Sequence, residues 1–394
     1  MNSPAADFMR EEINEQPKIL SQILATFPDF AVKHLKPDFE EVWLTGSGDS
    51  HCAAIFGASL LNQLGIPARA FPPMELSNFH GFNTVKNPCL IAISVSGKTP
   101  RILEVVKKIK HNFPDAIIIG LTDNPNSPLY QESSLPILIG ASPAEALLTS
   151  DYTGKEAKEY TGYHHDVAQT KTYFANLVWL LVIAWIWSDS PKNVIETLEA
   201  LGSQLEKWIK KAEDWAKNHP LSFPMKTIFL GSGLMLSLAQ YGQYKWFEFT
   251  FPGLKHDLEE YAHTQYFTTD TQTSIVFFGP LGSHQDRIKE LVHGALKDLI
   301  KPEIFLFIEE NSHQSLVKEL STVLLTPSIS EELLPIWHES IFYFYALIGV
   351  MWMTYYTAQR AGLDTNRFRG GQGTEKYIRG SYHTIRKSKI VNDD

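Results

Sequence analysis

Two parallel α/β sandwiches in tandem, each a sheet flanked by helices, are what the sequence predicts. Short apolar strands alternate with amphipathic helices from Val42 onward, which is the mark of a parallel sheet. A weaker copy of the pattern begins near Phe223, where Gly231-Ser232-Gly233 repeats Gly46-Ser47-Gly48. Three strands then recur in order at similar offsets, which favours duplication of one domain. The length of 394 residues also exceeds one ordinary core.

Taken in order, Glu11 to Phe27 reads as a helix interrupted near Pro17. Val42-Trp43-Leu44 is the first strand; it runs into Thr45-Gly46-Ser47-Gly48-Asp49-Ser50 and a helix to Leu64. Ala68 to Phe71 is the second strand. Cys89 to Ser94 is the third, feeding a Ser/Gly/Thr turn and a helix to Lys110, and Ala116 to Leu121 is the fourth. In the second half, Thr227 to Leu230 leads through Gly231-Ser232-Gly233 to a helix over Leu236 to Phe249. Strands over Ser274 to Phe278 and Glu303 to Ile308 follow, with a helix through Leu299 between them. Asn193 to Lys217 reads as a solvated connector helix without chemistry. The expected division is an N-terminal helical segment 1–36, a first domain 37–192, a connector 193–219 and a second domain with its tail over 220–394.

Composition narrows the partners. Apolar residues make up 44% and charged residues 20%, an ordinary globular balance. The net charge of −9 argues against nucleic acid or an anionic membrane as the main partner, so an anionic ligand has to be held by a local site. The two cysteines, Cys52 and Cys89, lack metal-binding spacing, so no metal or cofactor is expected and a reducing cytoplasm fits. No signal peptide is read at the N-terminus. The apolar runs Tyr173 to Trp187 and Ile341 to Tyr356 are shorter than the roughly 20 residues of a membrane span and read as buried or interface helices.

The turn Ser94-Val95-Ser96-Gly97-Lys98-Thr99 is the leading candidate site. A strand that runs into such a turn and then a helix presents backbone N–H groups, hydroxyls and a favourable dipole to an anion. The alternative is that Ser94, Ser96 and Thr99 only cap the helix. Gly97-Lys98-Thr99 does not complete a P-loop, because the position that needs its first glycine is Ala92. Gly46-Ser47-Gly48 does not complete a dinucleotide fingerprint, because His51 stands where the third glycine belongs; it provides a tight turn and, with Ser47, a second stretch of ligand wall. Glu248, flanked by Trp246, Phe247 and Phe249, is expected to be partly desolvated and suited to general-base work. His263 is a second candidate, as the residue type most used for acid–base work.

Several motifs resemble one family. Glu11-Glu12-Ile13-Asn14-Glu15-Gln16-Pro17 is similar to the opening helix of the isomerase part of glucosamine-6-phosphate synthase, and Ser94 to Thr99 to its S-x-S-G-x-T phosphate loop. Val167-Ala168-Gln169-Thr170-Lys171 resembles its V-A-S-T-K segment, Gly242-x-x-Lys245-x-x-Glu248 its catalytic helix, and Glu260-Tyr261-Ala262-His263 its E-x-x-H. The segment Phe247 to Thr250 and the tail Gly371 to Thr374 resemble the tagatose-6-phosphate isomerase and amino-sugar-phosphate deaminase group. Together they look like double sugar-isomerase (SIS) domain proteins.

The resemblance implies two flavodoxin-like SIS domains and a homodimer with active sites completed across its interface. It implies phosphate contacts from Ser94, Val95, Ser96 and Thr99, and sugar contacts near Ser47, Val167 and Thr170. Glu248 would shuttle the proton between C1 and C2, and His263 would assist ring opening from the neighbouring subunit. The nearest candidate for the synthase's C-terminal lysine is Lys376. The activity so implied is ketose–aldose isomerisation of a hexose phosphate or amino-sugar phosphate, with deamination, or phosphosugar binding without turnover, as alternatives. Departures are Thr264-Gln265 after His263, where the family has Gly-Pro, and Gln169 in place of serine.

Overall fold

The computed structural model describes residues 7–33, 37–82, 85–141, 169–188, 193–222, 226–312 and 314–372. The chain divides into two compact units, the first of residues 18–196 and the second of residues 7–17 with 197–372.

In the first unit, β1 (Glu41–Gly46), α3 (Asp49–Gln63), β2 (Ala68–Phe71), β3 (Pro88–Ile93), α4 (Pro100–Asn112), β4 (Ile117–Thr122), α5 (Pro128–Glu132) and β5 (Leu135–Leu138) alternate along the chain. They are preceded by α2 (Gln16–Lys33) and followed by α6 (Lys171–Trp187). The five strands are all parallel, in the order β2-β1-β3-β4-β5. β3 is buried at every position because Cys-Leu-Ile-Ala-Ile is apolar on both faces, as a strand covered on two sides requires. Proline at the first position of α4 sets φ without losing a bond the helix could have made.

The second unit has β6 (Lys226–Leu230), α8 (Leu234–Glu248), β7 (Gly253–His256), α9 (Leu258–His263), β8 (Thr273–Gly279), α10 (Ser283–Leu291), β9 (Glu303–Glu309), α11 (Gln314–Glu319), β10 (Val323–Thr326) and α12 (Pro335–Arg360). Its sheet order, β7-β6-β8-β9-β10, is that of the first sheet when strands are counted within the unit, and every pair is again parallel. Two tandem flavodoxin-like folds are therefore present, as the sequence predicted. The likeness extends to the first turn: Gly48 has φ 58° and ψ −128°, and Gly233 has φ 58° and ψ −130°.

Three expectations change. Residues 7–17 belong with the second unit: α1 (Phe8–Asn14) starts from an Asp7 carboxylate bonded by the Tyr355 hydroxyl, and Gln16 Nε2 donates to Met351 Sδ at 3.0 Å. The interruption expected near Pro17 is present as a break at Glu15 between α1 and α2, which puts Pro17 in the first turn of α2. The helix read as a connector, α7 (Asn193–Asn218), buries Leu205, Trp208, Ile209 and Ala212, and Trp208 Nε1 donates to Tyr345 O at 3.0 Å. Finally, α12 runs well beyond the 341–356 stretch. It is long and apolar enough to cross a membrane, but 94% of its apolar window is buried inside the protein.

Trp43, Phe71 and Phe82 pack against the His80 ring, with the Trp43 and Phe71 centroids at 4.8 and 4.7 Å from it. Burial, with Arg69 nearby, holds His80 below its ordinary 6.5. A base so depressed contributes stability that is full above pH 6.5 and is lost as pH falls below it. His80→Phe should therefore shrink the drop in melting temperature measured on crossing pH 6.5 downward; an unchanged drop would place the acid-sensitive group elsewhere.

Candidate functional site

The 94–99 turn lies at the carboxyl end of β3, beside the end of β4. Its carbonyls point back into the fold: Ser94 O accepts from Gly97 N at 2.9 Å, Val95 O from Asp123 N at 2.9 Å and Thr122 Oγ1 at 3.0 Å, and Gly97 O from Leu129 N at 3.1 Å. Among the described residues no acceptor pairs with the N–H groups of Val95, Ser96 and Thr99. With the carbonyls turned inward, those amides make a nest of positive dipoles at the start of the 13-residue α4. Ser94 Oγ and Thr99 Oγ1 close the two ends of the turn at 2.9 Å, and Ser96 Oγ accepts from Lys98 N at 3.3 Å. Gly97 makes the turn possible: its φ is 63°, and a Cβ there would stand 2.0 Å from Ser127 Oγ. The hydroxyls thus do not simply cap the helix, since Thr99 at the N-cap makes no side-chain cap bond.

Ser47 is exposed in the sister turn after β1. Thr170 is fully buried at the N-cap of α6. Val167 and Lys376 lie outside the described residues.

Glu248 is the last residue of α8, in the second unit. The sequence suggested a carboxylate partly desolvated among aromatic side chains, and its 21% exposure agrees with that; the sequence did not show what the carboxylate faces. Both its oxygens take the Lys245 ammonium, at 2.8 and 2.9 Å, because helical i,i+3 spacing stacks the two side chains. Lys245 has no exposed side-chain surface and its ammonium also lies 5.2 Å from the Tyr241 ring centroid, whereas Glu248 keeps 21% exposure. His263 ends α9 with 68% of its side chain exposed, and its Nε2 lies 3.1 Å from Glu259 Oε1. No hydrogen bond or ion pair joins it to Glu248.

Sequence reasoning passed over the carboxyl edge of the second sheet. His256 ends β7 there and is half-buried. Asp257, next in the chain, is pushed up by burial, but the Ser232 hydroxyl and the N–H groups of Glu260, Glu259 and Leu258 outweigh that and hold it below its ordinary value. Glu339 of α12 accepts from Leu234 N at 3.0 Å, and His284 of α10 stands 3.8 Å from it. Burial pushes Glu339 up to about 7, opposed by the Leu234 N–H and by His338. The available signal was a charge, Glu339, in an otherwise apolar helix.

Residues 40–153 match the family model of the SIS domain. The second unit repeats the fold of the first with the same strand order. The chain is 23% identical over 366 residues to the glutamine–fructose-6-phosphate aminotransferase (isomerizing) of Aquifex aeolicus, covering 91% of this chain and 56% of that protein. The first two curated relatives are thus spanned over only 37% and 56% of their length. In fold, it is similar to the C-terminal domain of glucosamine-fructose-6-phosphate aminotransferase from Francisella tularensis, with a TM-score of 0.68, 19% identity and coverage of 92% of this chain and 98% of that one. It is also similar to tagatose-6-phosphate ketose/aldose isomerase from Escherichia coli, with a TM-score of 0.67, 20% identity and coverage of 95% and 98%.

Proposed function

We propose that this SIS protein binds the phosphate of a hexose phosphate or amino-sugar phosphate in the 94–99 cradle and interconverts its ketose and aldose forms. The observation that carries this reading is the set of three backbone N–H groups without acceptors, flanked by the Ser94, Ser96 and Thr99 hydroxyls. A phosphate monoester supplies several strong acceptor oxygens, and charge-assisted bonds to it are roughly twice as strong as neutral ones. The names of the relatives support a sugar phosphate as the ligand class.

Glu248 is the proposed base that moves the proton between C1 and C2, and Lys245 the cation that orients it. Exposed His263 fits assistance to ring opening in a neighbouring subunit of a homodimer. Val167 and Lys376 keep their proposed roles as a carbonyl contact to a sugar hydroxyl and as the C-terminal lysine. Two free, buried cysteines support a cytoplasmic setting. A binding-only reading draws on the engagement of both Glu248 oxygens by Lys245.

The test is a thermal-shift screen with hexose 6-phosphates and their amino analogues, run beside assays for ketose, aldose and released ammonia. A ligand that binds the native state raises the melting temperature. Ser96→Ala/Thr99→Ala should lose that shift, and a shift that survives would put the phosphate elsewhere. Binding without turnover of any sugar would favour the binding-only reading, and ammonia release would favour deamination.

A further inference from the structure

The sister turns after β1 and β6 have the same backbone conformation but different surroundings. In the first unit, Ser47 and Gly48 are exposed. In the second, the same place is occupied from within the unit. Glu339 Oε1 accepts the N–H of Leu234, the first residue of the 15-residue α8, at 3.0 Å, and a Cβ on Gly233 would stand 3.0 Å from that oxygen. Glycine is thus what lets the carboxylate come so close. Asp257 takes the Ser232 hydroxyl, and His284 Nε2 lies 3.2 Å from Ser232 O. A helix N-terminus favours one negative charge, and here the chain supplies it.

We infer that Glu339 is a resident anion that fills the ligand end of the second unit's fold and keeps a phosphate from the Leu234 amide. The comparison with the 94–99 cradle rests on that turn's proposed role; the occupation of the second turn stands on its own geometry. A ligand phosphate at Leu234 would meet the Glu339 carboxylate at hydrogen-bond range, and like charges there repel. The Asp257 carboxylate beside Ser232 adds to that repulsion. His284 does not offset it, because burial holds its imidazole below the ordinary value and so keeps it neutral at neutral pH. Two further titratable groups stand at this edge: His256, next to Asp257 at the end of β7, and His338, beside Glu339 on α12 and 3.4 Å from the buried Glu309 carboxylate. Glu339 itself changes charge at about 7, so the occupant weakens as an anion when the pH is lowered.

Amide chemical shifts of the full chain test this, with inorganic phosphate as the probe. The Ser96 amide reports the first cradle and the Leu234 amide the second turn. In wild type, phosphate is expected to shift Ser96 and leave Leu234 still. In Glu339→Ser, phosphate should shift both. Leu234 should also titrate in wild type with a midpoint near 7 and lose that titration in Glu339→Gln, which keeps an acceptor without the charge. A Leu234 shift with phosphate in wild type overturns the inference, as does a Leu234 that ignores phosphate in folded Glu339→Ser. If the serine variant does not fold, the glutamine variant decides: a Leu234 titration that survives there rules Glu339 out. A Ser96 amide that ignores phosphate would sink the proposed cradle and leave the Glu339 result standing.

Discussion

Glu248→Gln is expected to lower kcat for the isomerised sugar phosphate by about 10²- to 10⁴-fold, the usual contribution of a positioned general base. Its Kd for the same sugar should change little, since phosphate binding is assigned to the amides and hydroxyls of residues 94–99. The variant keeps a carbonyl oxygen that can accept from Lys245 Nζ, now 2.8 Å from Glu248 Oε1, so the buried ammonium is not left without an acceptor. The melting temperature therefore serves as the control. A kcat within a few-fold of wild type, roughly 1 kcal/mol or less in barrier, would remove Glu248 from the mechanism.

Gly97→Val should abolish phosphosugar binding with the fold retained. Two costs fall on the same residue. A side chain at φ 63° costs about 1–2 kcal/mol on its own. The added Cβ would also stand 2.0 Å from Ser127 Oγ and 2.7 Å from Thr122 Oγ1. Thr122 Oγ1 holds the Val95 carbonyl inward, so its displacement turns the neighbouring amide out of the nest. If two bonds to a charged ligand are lost, at about 1.5–3 kcal/mol each, affinity falls at least ~10²-fold. Calorimetric titration measures the loss and circular dichroism checks the fold. Wild-type affinity in Gly97→Val would mean that the turn is not the phosphate site.

The central strands were legible because a strand covered on both faces is apolar at nearly every position, as Val42 to Leu44, Cys89 to Ile93 and Ser274 to Phe278 are. Of the edge strands, β2 was read as Ala68 to Phe71, but β5, β7 and β10 were not. β5 contains Pro136, which reads as a breaker and is tolerated at a sheet edge. β7 and β10 are four residues each, and Gly253-Leu254-Lys255-His256 carries no alternation to detect. The cradle was legible because its residues are contiguous. The partnership of Glu339 with Leu234 spans 105 residues of sequence and could be read only from the folded chain. The Lys245–Glu248 pair was visible as i,i+3 spacing, but sequence alone leaves open whether such a pair faces solvent or core.

The docking of α1 has a consequence for biosynthesis. Asp7, Phe8, Arg10 and Gln16 find their partners at Tyr355, Asn366, Glu213 and Met351, all in the second unit. Residues 7–17 are synthesised before these partners and therefore wait for nearly the last of the described chain, while residues 18–196 can assemble as a unit in the meantime. An emerging chain would carry α1, with buried Met9 and Ile13, as an unmatched apolar helix until α12 leaves the ribosome. By the same logic, no single cut between the sheets yields two self-sufficient fragments. A fragment starting at Thr197 would regain its missing contacts only if a peptide spanning residues 7–17 were added back.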